Sequence, residues 1–442
     1  MVGNEFDRHP IGWLLEKLGE FSLNEKGRKP KRVVKEQKEG YMLPYVNIKA
    51  FEKNLIDEYT DGEGCTICNE NDFLMVWDGS RSGYVGRALY GAVGSTLVKI
   101  NFPGINNLYA YYYLQSKYLE INTKAKGTGT PHVDPNILWN YQFPIAPIQE
   151  QRRIVEKIEE LFSELDNGIE TLKTIQQQLK IYRQSVLKWA FEGKLTNVQE
   201  IEPKRLYLEQ VCEFITKGTT PSKDKLFQGT GEIPFIKVYN LTFGDELDFT
   251  IEPTFVSFET HTGFLKRSKV FPGDVLMNIV GPPLGKVSIV PNTYAEWNIN
   301  QAIARFRCKD EMNNKFLMYF LLWEPTTIKL KNKSKATAGQ INLTLQICRE
   351  IEIPVYDYAD QIKIVQEIES RLSICDKLEE TIEHCMKQAD LLRQSILKKA
   401  FEGKLVPQDP NDEPAELLLE RIREERVEKS SKTSIKPKRS TK

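Results

Sequence analysis

Gln151–Leu195 reads QRRIVEKIEELFSELDNGIETLKTIQQQLKIYRQSVLKWAFEGKL, and Gln361–Leu405 reads QIKIVQEIESRLSICDKLEETIEHCMKQADLLRQSILKKAFEGKL. The two stretches lie 210 residues apart, align without a gap over 45 positions and share 21 identities. In the first copy apolar residues climb one ladder: Ile154, Ile158, Leu161, Leu165, Leu172, Ile175, Leu179, Tyr182, Val186 and Trp189, with Gly168 the one interruption. A 3.5-residue period sustained over about five heptads predicts a coiled-coil seam. The second copy keeps a weaker ladder: Ile364, Ile368, Cys375, Leu378, Ile382, Cys385, Ala389, Leu392 and Ile396, with Arg371 and Lys399 as polar exceptions. At 1.5 Å per residue each helix runs to roughly 65 Å. Neither buries its seam alone, so the economical expectation is that they bury it against each other.

At 442 residues the chain is too long for one core. Its 61 basic and 61 acidic side chains cancel, so any nucleic-acid surface is local rather than global. No apolar run reaches the ~18 residues of a membrane span. Met1–Asp7 lacks a signal-peptide layout, and seven cysteines give an odd count without a disulfide framework. The expectation is a cytoplasmic, reduced protein.

The repeat extends beyond the helices. Residues 1–147 form a first block with short strand signals at Pro44–Ile48 and Asp72–Val76 and a tyrosine-rich helical segment, Leu108–Tyr118. Residues 148–204 are the first long helix and its linker. A second block, 205–357, echoes the first, and 358–405 is the second long helix. Pro44-Tyr45-Val46 answers Pro234-Phe235-Ile236, and Asp72-Phe73-Leu74-Met75 answers Asp274-Val275-Leu276-Met277. Gly79 answers Gly281, Phe143-Pro144 answers Ile353-Pro354, Gly129 answers Gly339, and Leu15-Glu16-Lys17-Leu18 answers Leu208-Glu209-Gln210-Val211. Residues 406–442 carry a charged amphipathic helix around Glu413–Glu428 and a basic tail (Lys432, Lys436, Lys438, Arg439, Lys442) expected to be disordered.

Tests for chemistry find little. Cys65-Thr66-Ile67-Cys68 is a lone pair without a second pair of zinc ligands. Gly281-Pro282-Pro283-Leu284-Gly285-Lys286 mimics a phosphate-binding loop, but it is one residue short and has Val287 where a hydroxyl should hold magnesium. The same Pro-Pro pair mimics the Asn-Pro-Pro-aromatic motif of amino-methyltransferases, with Gly281 in place of Asn and Leu284 in place of the aromatic. No glycine-rich loop offers itself to S-adenosylmethionine. No catalytic residue, cofactor site or metal site is expected within the chain.

Loop electrostatics remain. In the first block Lys31 and Arg32 sit in the run Arg28-Lys29-Pro30-Lys31-Arg32. Arg81, Tyr84 and Arg87 mix guanidinium and aromatic groups, and Lys124 and Lys126 flank a Gly/Thr loop. In the second block Lys217, Thr219, Thr220 and Lys223 share a turn, Lys286 follows the glycine loop, and Lys329, Lys331, Lys333 and Lys335 alternate. An extended backbone would point those four lysines the same way. Mobile cations suit phosphates, while hydroxyls and guanidinium groups in fixed loops suit base edges. All of these residues are candidate DNA contacts. The residues alone also leave open a coiled-coil scaffold with two ligand- or peptide-binding blocks.

Two mixed blocks, each closed by a long helix ending Ala190-Phe191-Glu192-Gly193-Lys194-Leu195 or Ala400–Leu405, resemble the specificity subunits of type I restriction–modification systems over nearly the full chain. Val406-Pro407-Gln408-Asp409-Pro410 and the Gly129–Val133 run look like that family's wording, with Gly339–Leu343 as the partner run. The resemblance implies an α+β fold: a tandem pseudo-twofold repeat of strand-rich target-recognition domains whose helices form an antiparallel coiled coil. It also implies a non-catalytic subunit that reads a bipartite site in double-stranded DNA, with a spacer set by the helices. Two modification subunits carrying S-adenosylmethionine would dock on it, and restriction subunits with ATP and Mg2+ would join for cleavage.

Overall fold

The computed structural model describes residues 10–127, 129–196, 202–244, 247–281, 283–337 and 340–434, and only the backbone at 335–337, 340–341 and 429–434. The N-terminal residues 1–9, linker 197–201, Pro282, Gly339, the Lys335 and Lys432 side chains, and Lys436, Lys438, Arg439 and Lys442 lie outside that description. The chain divides into two compact units, Met1–Thr171 with Cys385–Lys442, and Leu172–His384. Six helices organise them: α1 (Asn107–Thr123), α2 (Ile148–Phe191), α3 (Asn314–Leu322), α4 (Glu324–Lys333), α5 (Tyr358–Phe401) and α6 (Ala415–Ser434).

In the first unit an antiparallel sheet runs in the order Leu23–Lys26, Leu97–Asn101, Phe73–Val76, Val85–Arg87. Side chains alternate across a strand, and Phe73–Val76 uses both faces. Phe73 and Met75 enter the cluster around α1. Leu74 and Val76 enter a second cluster with a smaller sheet, where Leu43–Val46 pairs in parallel with Gly91–Val93. The second unit repeats the plan. Val275 and Met277 face the main cluster, Leu276 faces the smaller one, and Ile233–Ile236 pairs in parallel with Trp297–Ile299. Gly79 and Gly281 both adopt positive φ, 126° and 86°. The echoes read at Pro44, Asp72, Gly79 and Phe143 therefore fall on equivalent elements.

One echo is out of register. Leu14–Lys17 pairs antiparallel with Gln142–Ile145, and Lys204–Tyr207 pairs the same way with Glu352–Val355. This makes Leu18, not Leu15, the equivalent of Leu208, and both leucines are fully buried. Leu15 and Leu18 lie three residues apart in similar surroundings, and only the strand pairing tells them apart.

Each long helix is tied to its block by a buried glutamine. Gln151 Oε1 accepts from Asn106 N (2.9 Å) and its Nε2 donates to Ala146 O (2.7 Å). Gln361 Oε1 accepts from Asn313 N (2.8 Å), and its Nε2 donates to Tyr356 O (2.8 Å) and Glu311 O (2.9 Å). Asn106 and Asn313 are the N-caps of α1 and α3. The start of each long helix is thereby fixed to the start of its block's aromatic helix.

The shared ending also has a physical reason. Gly193 and Gly403 take φ of 70° and 67°. Lys194 N donates to Trp189 O and Lys404 N to Lys399 O, each at 2.8 Å, which is a Schellman stop. The stop seats the phenylalanine before it. In the second unit Phe191 packs on Phe316, Phe320 and Trp323 at 5.2–5.5 Å between ring centroids. In the first, Phe401 packs on Tyr109 and Tyr113 at 5.1 and 5.2 Å.

The helices run antiparallel within each unit. In the second unit Arg183 pairs with Asp376 (2.6 Å) and Glu379 (3.0 Å), while Leu187 and Phe191 reach the cluster of Ile364 and Ile368. In the first unit Arg393 pairs with Asp166, while Ile154 and Ile158 share a cluster with Leu397 and Ala400. Arg183 and Arg393, like Asp376 and Asp166, stand 210 positions apart, so one contact occurs twice. The seam is less regular than its ladder. Ile154, Ile158, Leu179, Val186, Ile364, Ile368, Cys375, Ile382 and Ala389 are buried, but Ile175, Tyr182, Trp189, Leu378 and Leu392 are exposed. Val155, Leu187, Ala190 and Phe191, off the ladder, are buried instead, because the helix ends also pack on the blocks.

The C-terminal segment belongs to the first unit. Helix α6 buries Ala415, Leu418, Leu419 and Ile422 in its core, and Arg153 holds Asp412 in a two-pronged pair (2.6 and 3.2 Å). A Cβ at Gly104 would sit 2.4 Å from Ile422, so this approach requires glycine. Replacing Gln361 by Ala should cost about 1–3 kcal/mol, since it strands the buried Asn313 N–H. Chemical denaturation measures this, and a change under ~0.5 kcal/mol would remove the glutamine from this role.

Candidate nucleic-acid interface

In each unit two loops meet at one edge of the main sheet. In the first, the turn after Phe73–Val76 is joined to the loop after α1. Gly79 N donates to Pro131 O (2.8 Å), Val133 N donates to Trp77 O (2.9 Å), and Lys126 and His132 exchange backbone hydrogen bonds (2.9 and 2.8 Å). In the second, the glycine loop meets the hairpin before Leu345: Val280 bridges to Asn342, and Leu343 N donates to Ile279 O (2.8 Å). Asn278 braces this loop by accepting from Lys286 N (2.8 Å) and donating to Pro283 O (2.6 Å).

Arg81, Tyr84, Lys124 and Lys126 come together at or beside the first of these edges. Most of their charge is already matched. Arg81 lies over the Tyr84 ring (4.1 Å) and pairs with Glu52 (3.2 Å). Lys124 pairs with Glu120 and Lys126 with Asp134, both at 2.7 Å. Arg87 points elsewhere, toward Glu159 on α2, and so braces the block against its helix. Lys31 pairs with Glu63 (3.3 Å) on the surface, and Arg32 lies 5.5 Å from the Tyr41 ring centre.

In the second unit Lys217 and Thr219 line a cleft with Phe214, Thr216, Arg267 and Arg305. Thr220 hydrogen-bonds Gln301, and Lys223 opens a short 3-10 turn. The lysine run departs from its expected form. Lys329, Lys331 and Lys333 lie on α4, which starts with Pro325 in its first turn. On a helix, alternate residues point to different sides. Lys331 faces a groove beside Lys180, Arg183 and Lys188, whereas Lys329 and Lys333 line another beside Arg205 and Tyr207.

Two features escaped the sequence reading. Lys26-Gly27-Arg28-Lys29-Pro30 and Lys217-Gly218-Thr219-Thr220-Pro221 are the same element. Gly27 N donates to Leu97 O (2.9 Å) and Gly218 N to Ile303 O (3.1 Å). A Cβ would lie 2.2 Å from Gly94 O in one and 2.1 Å from Ile299 O in the other. The shared Lys-Gly-x-x-Pro spacing was the available signal. Arg267 and Arg305 had none, since only tertiary structure brings them to the Lys217 turn.

Among the described residues no group of three or more His, Cys, Asp or Glu side chains could hold a metal ion, and no helix is long and apolar enough to cross a membrane. Burial pushes the Cys68 thiol up to about 11, and its Sγ donates to Leu89 O (2.9 Å). It is held as a thiol rather than a nucleophilic thiolate.

The chain resembles known proteins over most of its length. It is 26% identical over 416 residues to the type I restriction enzyme MjaVIII specificity subunit of Methanocaldococcus jannaschii, covering 90% of this chain and 94% of that one. It is 26% identical to the EcoBI specificity subunit of Escherichia coli, covering 90% and 89%. Its fold is similar to a chain solved in work on assembly and conformational transition of the type I R-M system (TM-score 0.70, 18% identity, covering 90% and 100%). It is also similar to the HsdS subunit from Thermoanaerobacter tengcongensis (TM-score 0.55, 19% identity, covering 92% and 100%). Residues 10–180 and 202–387 each match the family described as the type I restriction modification DNA specificity domain, and the chain, built twice on that plan, belongs to this family.

Proposed function

We propose that the chain is the DNA-recognition subunit of a type I restriction–modification complex. Each block reads one half of a bipartite site in double-stranded DNA, and the length of α2 and α5 sets the unread spacer. The observation that carries this reading is the repetition itself. One scaffold occurs twice with loops at the same edge, while the loop residues differ: Arg81 and Lys126 in one block, Thr219 and Lys286 in the other. Two dissimilar readers on one scaffold suit two dissimilar half-sites, and linking them raises effective concentration without new contacts.

The subunit itself carries no catalysis. Methylation would come from modification subunits holding S-adenosylmethionine, and cleavage from restriction subunits using ATP and Mg2+, in the cytoplasm. Two copies of the modification subunit fit a further repetition. Ile181 and Leu391, 210 positions apart on α2 and α5, are 68% and 70% exposed, and each lies two residues before the arginine of its interhelix ion pair. Equivalent exposed apolar side chains suit two copies of one partner.

Selection of duplexes by the chain with its methyltransferase partner should return two short motifs separated by a fixed run of unread bases. One continuous motif would contradict the bipartite reading, and no enrichment would favour a coiled-coil scaffold. Saturable binding of S-adenosylmethionine to the isolated chain would instead revive a self-sufficient enzyme. Removing one heptad from α2 together with its partner heptad from α5 should change spacer length and leave the motif letters intact. Altered letters would show that the blocks do not read independently. Ile181→Glu and Leu391→Glu should each remove one modification subunit, read as a mass loss by native mass spectrometry. Full assembly in both would move the docking face elsewhere.

A further inference from the structure

The central strands of the two units differ at one buried position. In the first unit Lys99, across from Leu74 and Glu25 in the sheet, has its charge matched inside the fold: Nζ lies 3.8 Å from Glu25 and donates to Ile67 O (2.9 Å). In the second unit the same position holds Arg305, across from Leu276 and Thr216. A threonine thus stands where the first unit has a carboxylate.

Arg305 is only 7% exposed. Its guanidinium donates to Thr216 Oγ1 (3.0 Å) and to Lys269 O, and it lies 4.4 Å from the Phe214 ring centre. Its Nε has no hydrogen-bond partner among the described residues. The nearby carboxylate, Asp274, is occupied by a two-pronged pair with Arg307 (2.7 and 2.6 Å). A buried cation without a matching anion is costly, and burial holds the Arg305 guanidinium below its ordinary range.

Arg305 lines a cleft of about 430 Å3 with Lys217, Thr219 and Arg267. Among the described residues neither Lys217 nor Arg267 has an ion-pair partner. Three cations and a hydroxyl thus converge on a space with no acidic side chain in its lining. We propose that this cleft is a phosphate site, that it holds a backbone phosphate of the half-site read by the second block, and that the first block has no counterpart. The proposal rests on the recognition function above and adds an asymmetry to it: the second block grips the backbone through a built cleft, while the first block's cation is neutralised internally.

The test uses the full chain with its methyltransferase partner on its selected duplex, with affinity followed against salt concentration. Lys217→Ala with Arg267→Ala should lower the slope of log affinity against log salt by about two, near 0.9 per lost phosphate contact, equally on all sequences. Thr216→Glu, which installs the carboxylate present in the first unit, should weaken duplex binding without lowering the thermal midpoint. Lys99→Gln should leave the slope unchanged. An unchanged slope in the double variant, with selective binding intact, overturns the phosphate site alone. Absence of selective binding in the unsubstituted complex overturns the recognition reading and the site with it. Inorganic phosphate separates the two sources of the ligand. A thermal shift by phosphate that Thr216→Glu abolishes, with no change in duplex slope, would make this a free-phosphate site and overturn the DNA assignment.

Discussion

Neither long helix buries its apolar stripe alone, and that constraint organises the rest of the molecule. Each unit contains part of both helices running in opposite directions. The Arg183–Asp376 pair of one unit recurs as Arg393–Asp166 in the other. These ion pairs are partly exposed and contribute modestly, since surface pairs are worth about 0–1 kcal/mol. Their value is in register. Most of the stabilisation comes from Ile154, Ile158, Val186, Ile364 and Ile368, all fully buried, where each such side chain contributes about 1.5–3 kcal/mol relative to exposure.

The blocks depend on the same helices. Gln151 and Gln361 fix the helix starts to the aromatic helices of the blocks, and Phe401 and Phe191 bring the helix ends into their cores. A block without its helices would lose a wall of its core and its buried amide acceptor. The two units differ in what completes them. The first carries α6 across Gly104 and Glu16, with Arg423 held to Glu16 at 2.9 Å. The second instead has the cation-lined cleft at Arg305, where the first places a neutralised Lys99.

Much of the fold was legible because it is stated twice. The helix repeat, the Asp72 and Asp274 strands, the Pro44 and Pro234 strands and the positive-φ glycines at 79 and 281 all announce themselves by recurrence. Where recurrence was weak, reading failed. Leu15 passed for Leu18 because either fits a short apolar spacing, and only the pairing with Gln142–Ile145 separates them. Lys329, Lys331 and Lys333 suggested an extended strand by alternation, but Pro325 starts a helix there. The site was harder. Arg81, Lys124 and Lys126 were identified by composition, which does not register that Glu52, Glu120 and Asp134 already neutralise them. Arg267 and Arg305 reach the Lys217 turn only through tertiary contacts, so no local pattern marks them.

The central claim is that a duplicated helix buries its seam against its own copy, head to tail. Cysteine pairs placed on a background without native cysteines test this directly. The account predicts rapid oxidative cross-linking of 166 with 393 and of 183 with 376. Cross-linking of 166 with 376, or of 183 with 393, would mean the copies lie in the same direction, and the account would be wrong.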